Sequence, residues 1–389
     1  MRLGLAAVAA VVSLSACVPG AAQPRPSPIP DASPVAATRT SLDAYFGSYS
    51  LDDGDIVVIA RLGWFFDMRD AAYRTIYATR SPNHFTIGGR FAVPLPKFAD
   101  LLFDSGTLKI TEAARQRSGR HIAYRSTDVA IPSGDARLAA TITEPLDTGP
   151  HPGIVIVHGA EPGERHFYDV WVGLYASFGL AVLTYDKRGI GFSTGAYPGE
   201  FPTDMALQTY ADDAAAARDF LAHWRGIDPK RVGFHGGSQG GWTVPLAMYR
   251  HPGSAFAILV SAPATTVGQT DLWAGFSGNG ETQPTEPADQ MLAEVRATHS
   301  GYDPLPALRA LNAPTLWLLG SNDRTVPTVV CLEILDSLHK PNFTVQMLPA
   351  GHGLLVNPTG LNADDSQSPG LAPELAPTIK AWSARVLAS

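Results

Sequence analysis

From about residue 127 onward, short and almost wholly apolar runs alternate with longer stretches in which apolar residues recur every three or four positions. The runs at 153–157, 181–185, 231–234, 255–260, 314–320 and 343–349 are bounded by Gly, Pro, Ser, Asn or Asp and read as buried strands. Between them, 167–178 and 206–224 have helical spacing. The second sets Tyr210, Ala214, Ala217, Phe220 and Leu221 on one face, which marks them as core. Strands 127–132 and 138–143, joined by Ser133-Gly134-Asp135, predict an opening hairpin. The alternation as a whole predicts an α/β fold: a mostly parallel sheet with helices on both faces.

Two segments break that rhythm. Residues 41–126 predict a small β-rich accessory domain: Asp52-Asp53-Gly54-Asp55 is a turn, and 56–60, 85–87 and 108–110 suggest an antiparallel sheet. The acidic turn lacks the spacing of a calcium loop and reads as solvated. Residues 262–304 are rich in Gly, Thr, Pro and Gln before an amphipathic stretch at 289–298. They predict a short cap over a pocket, with Trp273 and Phe276 lining it.

The candidate chemistry sits at the ends of the apolar runs. Residues 234–242 read F-H-G-G-S-Q-G-G-W, so Ser238 stands between Gly236 and Gly240 at a strand-to-helix step. A turn that sharp forces its central residue into a strained backbone, and a Cβ two residues to either side would collide with the neighbouring strand or helix. Pro245 falls within the first turn or so of the helix that follows, where a missing N–H matters little. A serine hydroxyl needs a base to take its proton and a carboxylate to orient that base. Asp323 lies just past the run 314–320, and His352, between two glycines, lies just past 343–349. All three fall beyond carboxyl ends of strands, where open α/β sheets gather reactive groups. Asp323 also suits a helix cap near Pro327. His158 and His235 read as locally packed, and Asp186 and Arg188 as an ion pair fixing a loop. No His, Cys or carboxylate grouping has metal spacing, so neither a metal nor a cofactor is expected.

From residue 127 to 389 the chain resembles the alpha/beta-hydrolase superfamily, in which the triad follows the chain order Ser, Asp, His. The likeness is nearest to the serine esterase and aminopeptidase-like branch with a Y-D-K-R-G-x-G-x-S-x-G stretch, here Tyr185 to Gly195. The run 154–159, I-V-I-V-H-G, is similar to the strand and turn that supply part of an oxyanion hole. That match implies oxyanion donors at the backbone N–H groups of Gln239 and Ala160. Relatives have H-G-S-G-P where this chain has Ala160-Glu161-Pro162, and Glu161 is expected to face solvent or pair with Arg165. The accessory segment is similar to partial-barrel modules of some secreted serine hydrolases, and is expected to cover one side of the site.

The implied activity is hydrolysis of a small-molecule carboxylic ester through an acyl-enzyme. A peptidase of the same fold and a non-catalytic binding protein on the same scaffold are the alternatives. The amino terminus adds a location. Met1-Arg2 and an apolar run closing in Leu14-Ser15-Ala16-Cys17 predict a signal peptide, 1–17, with a lipobox that leaves Cys17 acylated. A plain secretory cleavage site is the alternative. The Pro-rich residues 18–40 form a linker. The protein is then exported to the cell envelope and lipid-anchored, or secreted. With Cys17 committed, Cys331 has no partner for a disulfide, so stability rests on a hydrophobic core, for which 45% hydrophobic content in 389 residues is ample. A formal charge of −7, with no Lys/Arg run interleaved with aromatics, argues against a nucleic-acid partner.

Overall fold

The structure, a computed structural model, describes residues 45–62, 65–70, 75–78, 83–87, 99–113, 115–367 and 370–388. The expected signal segment, Cys17 and the linker 18–40 lie outside the described residues. Among the described residues, no helix is long and apolar enough to cross a membrane.

The amino-terminal strands are β1 (Gly47–Leu51), β2 (Ile56–Leu62), β3 (Phe65–Asp70) and β4 (Thr75–Ala78). They continue as β5 (His84–Ile87), β6 (Ala99–Asp104), β7 (Thr107–Glu112) and β8 (Arg115–Ile122). All neighbours are antiparallel, and β1 pairs back onto β8, so the expected small sheet is a closed eight-stranded barrel. Closure removes every edge, the liability of an open sheet. Tyr49, Phe85, Leu101, Phe103, Leu108 and Ile110 fill it, with Phe85 and Phe103 edge to face at 5.5 Å. The acidic turn is exposed, as expected, and is braced by neighbouring side chains. Arg115 reaches Asp53 at 2.5 Å, Arg117 reaches Asp55 at 3.3 Å, and Ser118 donates to Asp52 at 3.0 Å.

The second unit is an eight-stranded sheet of β9 (Tyr124–Ser133), β10 (Ala136–Pro145), β11 (His151–Val157) and β12 (Ala181–Tyr185), then β13 (Ile227–Gly237), β14 (Ala257–Val260), β15 (Thr315–Gly320) and β16 (Phe343–Leu348). The spatial order is β16-β15-β14-β13-β11-β12-β10-β9. The six strands from β16 to β12 are parallel, while β10 runs antiparallel to both β12 and β9.

Strand alternation divides the core between the two faces. Val155, Val157, Leu259, Trp317 and Leu319 face one side, under α2 (Asp204–Ala222) and α3 (Gly240–Arg250). Ile154, Ile156, Ile258, Leu316 and Leu318 face the other, under α1 (Asp169–Ser177) and α8 (Leu375–Leu387). Thr203 caps α2 by accepting from the Ala206 N–H at 3.1 Å, and Ala211, Ala214 and Ala217 let that helix lie close to the sheet. Pro245 is the sixth residue of α3, in its second turn rather than its first, so α3 lacks one helical hydrogen bond there. Between β14 and β15 lie α4 (Val267–Ser277), α5 (Ala288–Ala297) and α6 (Leu305–Ala310). Cys331, on α7 (Thr328–Ser337), is fully buried, and burial pushes its thiol up to about 11.

The barrel docks on α1. Ser48 donates to the Gly173 carbonyl at 2.8 Å, and Val58 and Ala60 pack on Val170. A Cβ on Gly173 would stand 2.5 Å from Val58 Cγ1 and 3.0 Å from Ser48 Oγ. In an open helix Gly→Ala stabilises by about 0.8–1 kcal/mol; here overpacking, about 1–3 kcal/mol, opposes it and outweighs it. Gly173→Ala is therefore expected to lower the melting temperature, and a rise would show that the barrel does not press on α1 at this point.

Candidate active site

β13 ends at Gly237 and α3 begins at Gly240, leaving two residues for the reversal. Ser238 adopts φ 51°, a left-handed conformation that costs a non-glycine residue about 1–2 kcal/mol. Its N–H donates to Val260 at 3.2 Å, and its carbonyl accepts from Gly241 at 2.7 Å, so both sides of the turn are tied. A Cβ on Gly236 would come within 2.8 Å of both the Gly240 carbonyl oxygen and Val244 Cγ2. One on Gly240 would meet the carbonyls of Val157 and His158 at 3.2 Å. The glycines therefore let α3 start directly against β11, with the serine hydroxyl projecting past the sheet.

His352 Nε2 lies 3.1 Å from Ser238 Oγ, and His352 Nδ1 lies 2.9 Å from Asp323 Oδ2. The Asp323 carboxylate is buried and engages both of its oxygens. Oδ1 accepts from the Thr325 and Val326 N–H groups at 2.8 Å each, which orders the turn before α7 rather than capping that helix, whose N-cap position is Pro327, while Oδ2 faces the imidazole. Because a carboxylate accepts, Nδ1 carries the proton and Nε2 is free to accept from the serine. Burial alone would lower the His352 pKa, but the charge and hydrogen bond of Asp323 outweigh it and hold it above that of a free imidazole.

Residues to which sequence reasoning gave no such role brace this arrangement. Ser261, at φ 46° after β14, donates to the His352 carbonyl at 2.5 Å. Trp273 donates from its indole to the Asp323 carbonyl at 3.2 Å, Ser277 donates to the Arg324 carbonyl, and Thr325 donates to Asn279 at 2.8 Å. The segment between β14 and β15 thus clamps the aspartate loop, and Trp273, expected to line the pocket, has its indole N–H committed to the backbone of that loop. These are contacts between segments distant in sequence, so no local pattern announces them.

Two expected pairings are corrected. Glu161 neither faces solvent nor pairs with Arg165. Its carboxylate accepts from Tyr168 Oη, from the Gly159 N–H at 3.2 Å and from His158 Nδ1 at 3.4 Å, because the turn folds it back over its own strand end. Burial would raise its pKa, but His158, Lys187 and Tyr168 hold it below the ordinary value. Asp186 and Arg188 do not pair with each other. Asp186 accepts from the N–H groups of Arg165 (2.8 Å) and Phe192 (2.9 Å) and lies 3.6 Å from the Arg165 guanidinium. Arg188 instead reaches buried Asp213 on α2 at 2.6 and 3.0 Å, and Asp135.

His158 and His235 are held locally, as expected. His158 Nε2 bonds the Tyr185 carbonyl, and His235 Nδ1 bonds Tyr175 Oη at 2.8 Å. Burial lowers the His235 pKa to about 3, so its ring is neutral. Among the described residues, no group of His, Cys, Asp and Glu is placed to hold a metal. Nor does any group among them accept a hydrogen bond from the backbone N–H of Gln239 or Ala160.

A strained serine, an imidazole and a buried carboxylate in this chain order, on a sheet of this topology, define a class: a serine hydrolase with the alpha/beta-hydrolase fold. A sequence model of the prolyl oligopeptidase family matches residues 166–358, which take in Ser238, Asp323 and His352. An uncharacterized protein of Mycobacterium tuberculosis is 25% identical over 227 residues, 58% of this chain and 72% of that protein. The acylamino-acid-releasing enzyme of Sus scrofa is 27% identical over 211 residues, 51% of this chain but only 27% of that enzyme. Among solved structures, an esterase of Pyrococcus furiosus is similar at 16% identity and TM-score 0.49, covering 67% of this chain and 91% of that one. The proline iminopeptidase of Mycobacterium smegmatis is similar at 18% identity and TM-score 0.47, covering 67% and 98%.

Because the base works only when neutral, kcat/KM is expected to rise with pH through the His352 ionisation. Asp323→Asn removes the group that lifts this pKa, so the acid limb should move to lower pH while kcat falls about 10⁴-fold. A pH–rate profile of the variant with an unmoved limb would show that Asp323 does not set the charge of His352.

Proposed function

We propose that the protein hydrolyses carboxylic esters by two-step acyl transfer. The observation that carries this reading is the continuous line from Asp323 through His352 to the strained Ser238. Ser238 Oγ attacks the carbonyl carbon as its proton passes to His352 Nε2, and Asp323 stabilises the imidazolium. The negative oxygen of the tetrahedral intermediate is taken by the backbone N–H groups of Gln239, at the N-terminus of α3, and Ala160. His352 then protonates the departing alcohol, and a water molecule, activated by the same imidazole, releases the acid.

An ester is favoured over a peptide with a free amino terminus because such a substrate needs an unengaged carboxylate near the scissile bond. Glu161, the carboxylate nearest the Ala160 turn in sequence, already accepts from Tyr168, Gly159 and His158. Peptide hydrolysis is the second reading, favoured by the match to a peptidase family and to the acylamino-acid-releasing enzyme. The short cap supports small to medium acyl groups. The lipobox at Cys17 supports export and anchoring of the enzyme at a cell-envelope membrane, with the Pro-rich stretch as spacer.

Ser238→Ala is expected to abolish turnover of p-nitrophenyl acetate while leaving the circular dichroism spectrum unchanged. Turnover that survives the substitution would remove Ser238 from the mechanism. Across p-nitrophenyl esters of increasing acyl length, kcat/KM is expected to peak at short to medium chains; a maximum at long chains would contradict the assigned substrate size, and cleavage of peptide anilides in preference to every ester would favour the second reading.

A further inference from the structure

Lys187 follows β12 by two residues and is 3% exposed. An ammonium has three N–H donors, and here they meet three successive backbone carbonyls of the turn after β11: Gly159 at 2.8 Å, Ala160 at 3.2 Å and Glu161 at 3.0 Å. The backbone N–H of Lys187 donates to the Gly163 carbonyl at 3.0 Å, so the turn is wrapped around this one residue. The Tyr210 ring lies 4.5 Å from the ammonium and the Tyr197 ring 5.9 Å, both within cation–π reach. Taking an ammonium out of water is costly, and a turn can be held by neutral groups alone. The charge therefore calls for a use.

A trans peptide points its C=O and the following N–H in opposite directions. With the Gly159 carbonyl drawn onto Lys187, the Ala160 N–H is turned away from the ammonium. We infer that Lys187 is a positioning residue for the reaction, holding the peptide planes of 159–161 so that the Ala160 N–H meets the developing oxyanion, and balancing the Glu161 carboxylate beside it. The inference rests on the oxyanion role given above to Ala160. Its signature is selective: an interaction made with the tetrahedral oxygen alters the rate of bond formation rather than the binding of the neutral reactant.

The charge state supplies a second signature. Burial brings the Lys187 pKa down to about 8, opposed by the Glu161 and Glu200 carboxylates. The other titratable groups facing it are the phenols of Tyr197 and Tyr210, both raised by burial, with His158 behind Glu161. The protonated lysine donates all three bonds, so its contribution is complete below that pKa and is lost as pH rises through it.

The test is the rate at which a fluorophosphonate phosphonylates the full chain. In that reaction the Ser238 Oγ–P bond forms, the P–F bond breaks, fluoride leaves and the proton goes to His352, with the phosphoryl oxygen in the oxyanion position. At neutral pH, Lys187→Met is expected to react about 10–100-fold more slowly, with reversible affinity for the reagent within about twofold and Lys187→Gln, which still donates, between the two. The wild-type rate should decline above about pH 8, and Lys187→Met should lack that decline. Reaction of Lys187→Met within about twofold of wild type, or a variant that keeps the alkaline decline, would overturn the inference. If Lys187→Met does not fold, the wild-type profile decides, and a rate that stays flat well above the lysine ionisation would overturn it. A wild-type protein that does not react at all would instead defeat the assignment of Ser238 as an activated nucleophile.

Discussion

Ser238 is held in a conformation that an isolated serine avoids, and the rest of the candidate site is arranged around that constraint. The left-handed φ of 51° lets β13 turn into α3 within two residues, which leaves the hydroxyl beyond the strand end and the Gln239 N–H at the head of a helix. A penalty of about 1–2 kcal/mol is small beside the burial of the strand itself. Phe234 and Val232, both within 1% of complete burial, each contribute about 1.5–3 kcal/mol. The strand cannot relax the serine without giving up its pairing to β11 on one side and β14 on the other.

Around this fixed point three other strands of the same sheet each supply one part at their carboxyl ends. The loop after β15 carries Asp323, the loop after β16 carries His352, and the turn after β11 carries Ala160. Each loop is in turn tied by polar contacts from elsewhere: Ser261 on the histidine loop, the segment between β14 and β15 on the aspartate loop, and Lys187 on the 159–161 turn. Tyr168 extends the linkage further. Its hydroxyl accepts from the Gly159 N–H at 2.9 Å and donates to Glu161, and it belongs to the short helical turn Arg165–Tyr168 that leads directly into α1, on which the barrel docks. The barrel thus backs the segment behind the 159–161 turn.

Much of this was legible in the sequence because it is encoded locally. Apolar runs that end in Gly, Ser or Asp announce parallel strands and their reactive ends, and G-x-S-x-G leaves only a sharp turn for Ser238. The barrel was legible only in part, since β8 is R-Q-R-S-G-R-H-I, a strand with one apolar side chain and no alternation to betray it. Partners of charged residues were the least legible. Asp186 and Arg188 are two apart on one loop and share an obvious pairing, yet after a strand end their side chains diverge, toward Arg165 and toward Asp213. Glu161 looked exposed because a polar turn residue ordinarily is; the Tyr168 hydroxyl and Lys187 that draw it in come from the next helical turn and the next strand.

The central claim is that Ser238 and His352 act as one unit. Measuring kcat for Ser238→Ala, His352→Ala and the double variant on one ester tests it most directly. Residues that act only together lose everything with the first substitution, so the double variant should be no slower than either single one. Losses that multiply in the double variant would mean that the two side chains work independently, and that their 3.1 Å contact is not the bond through which the proton moves.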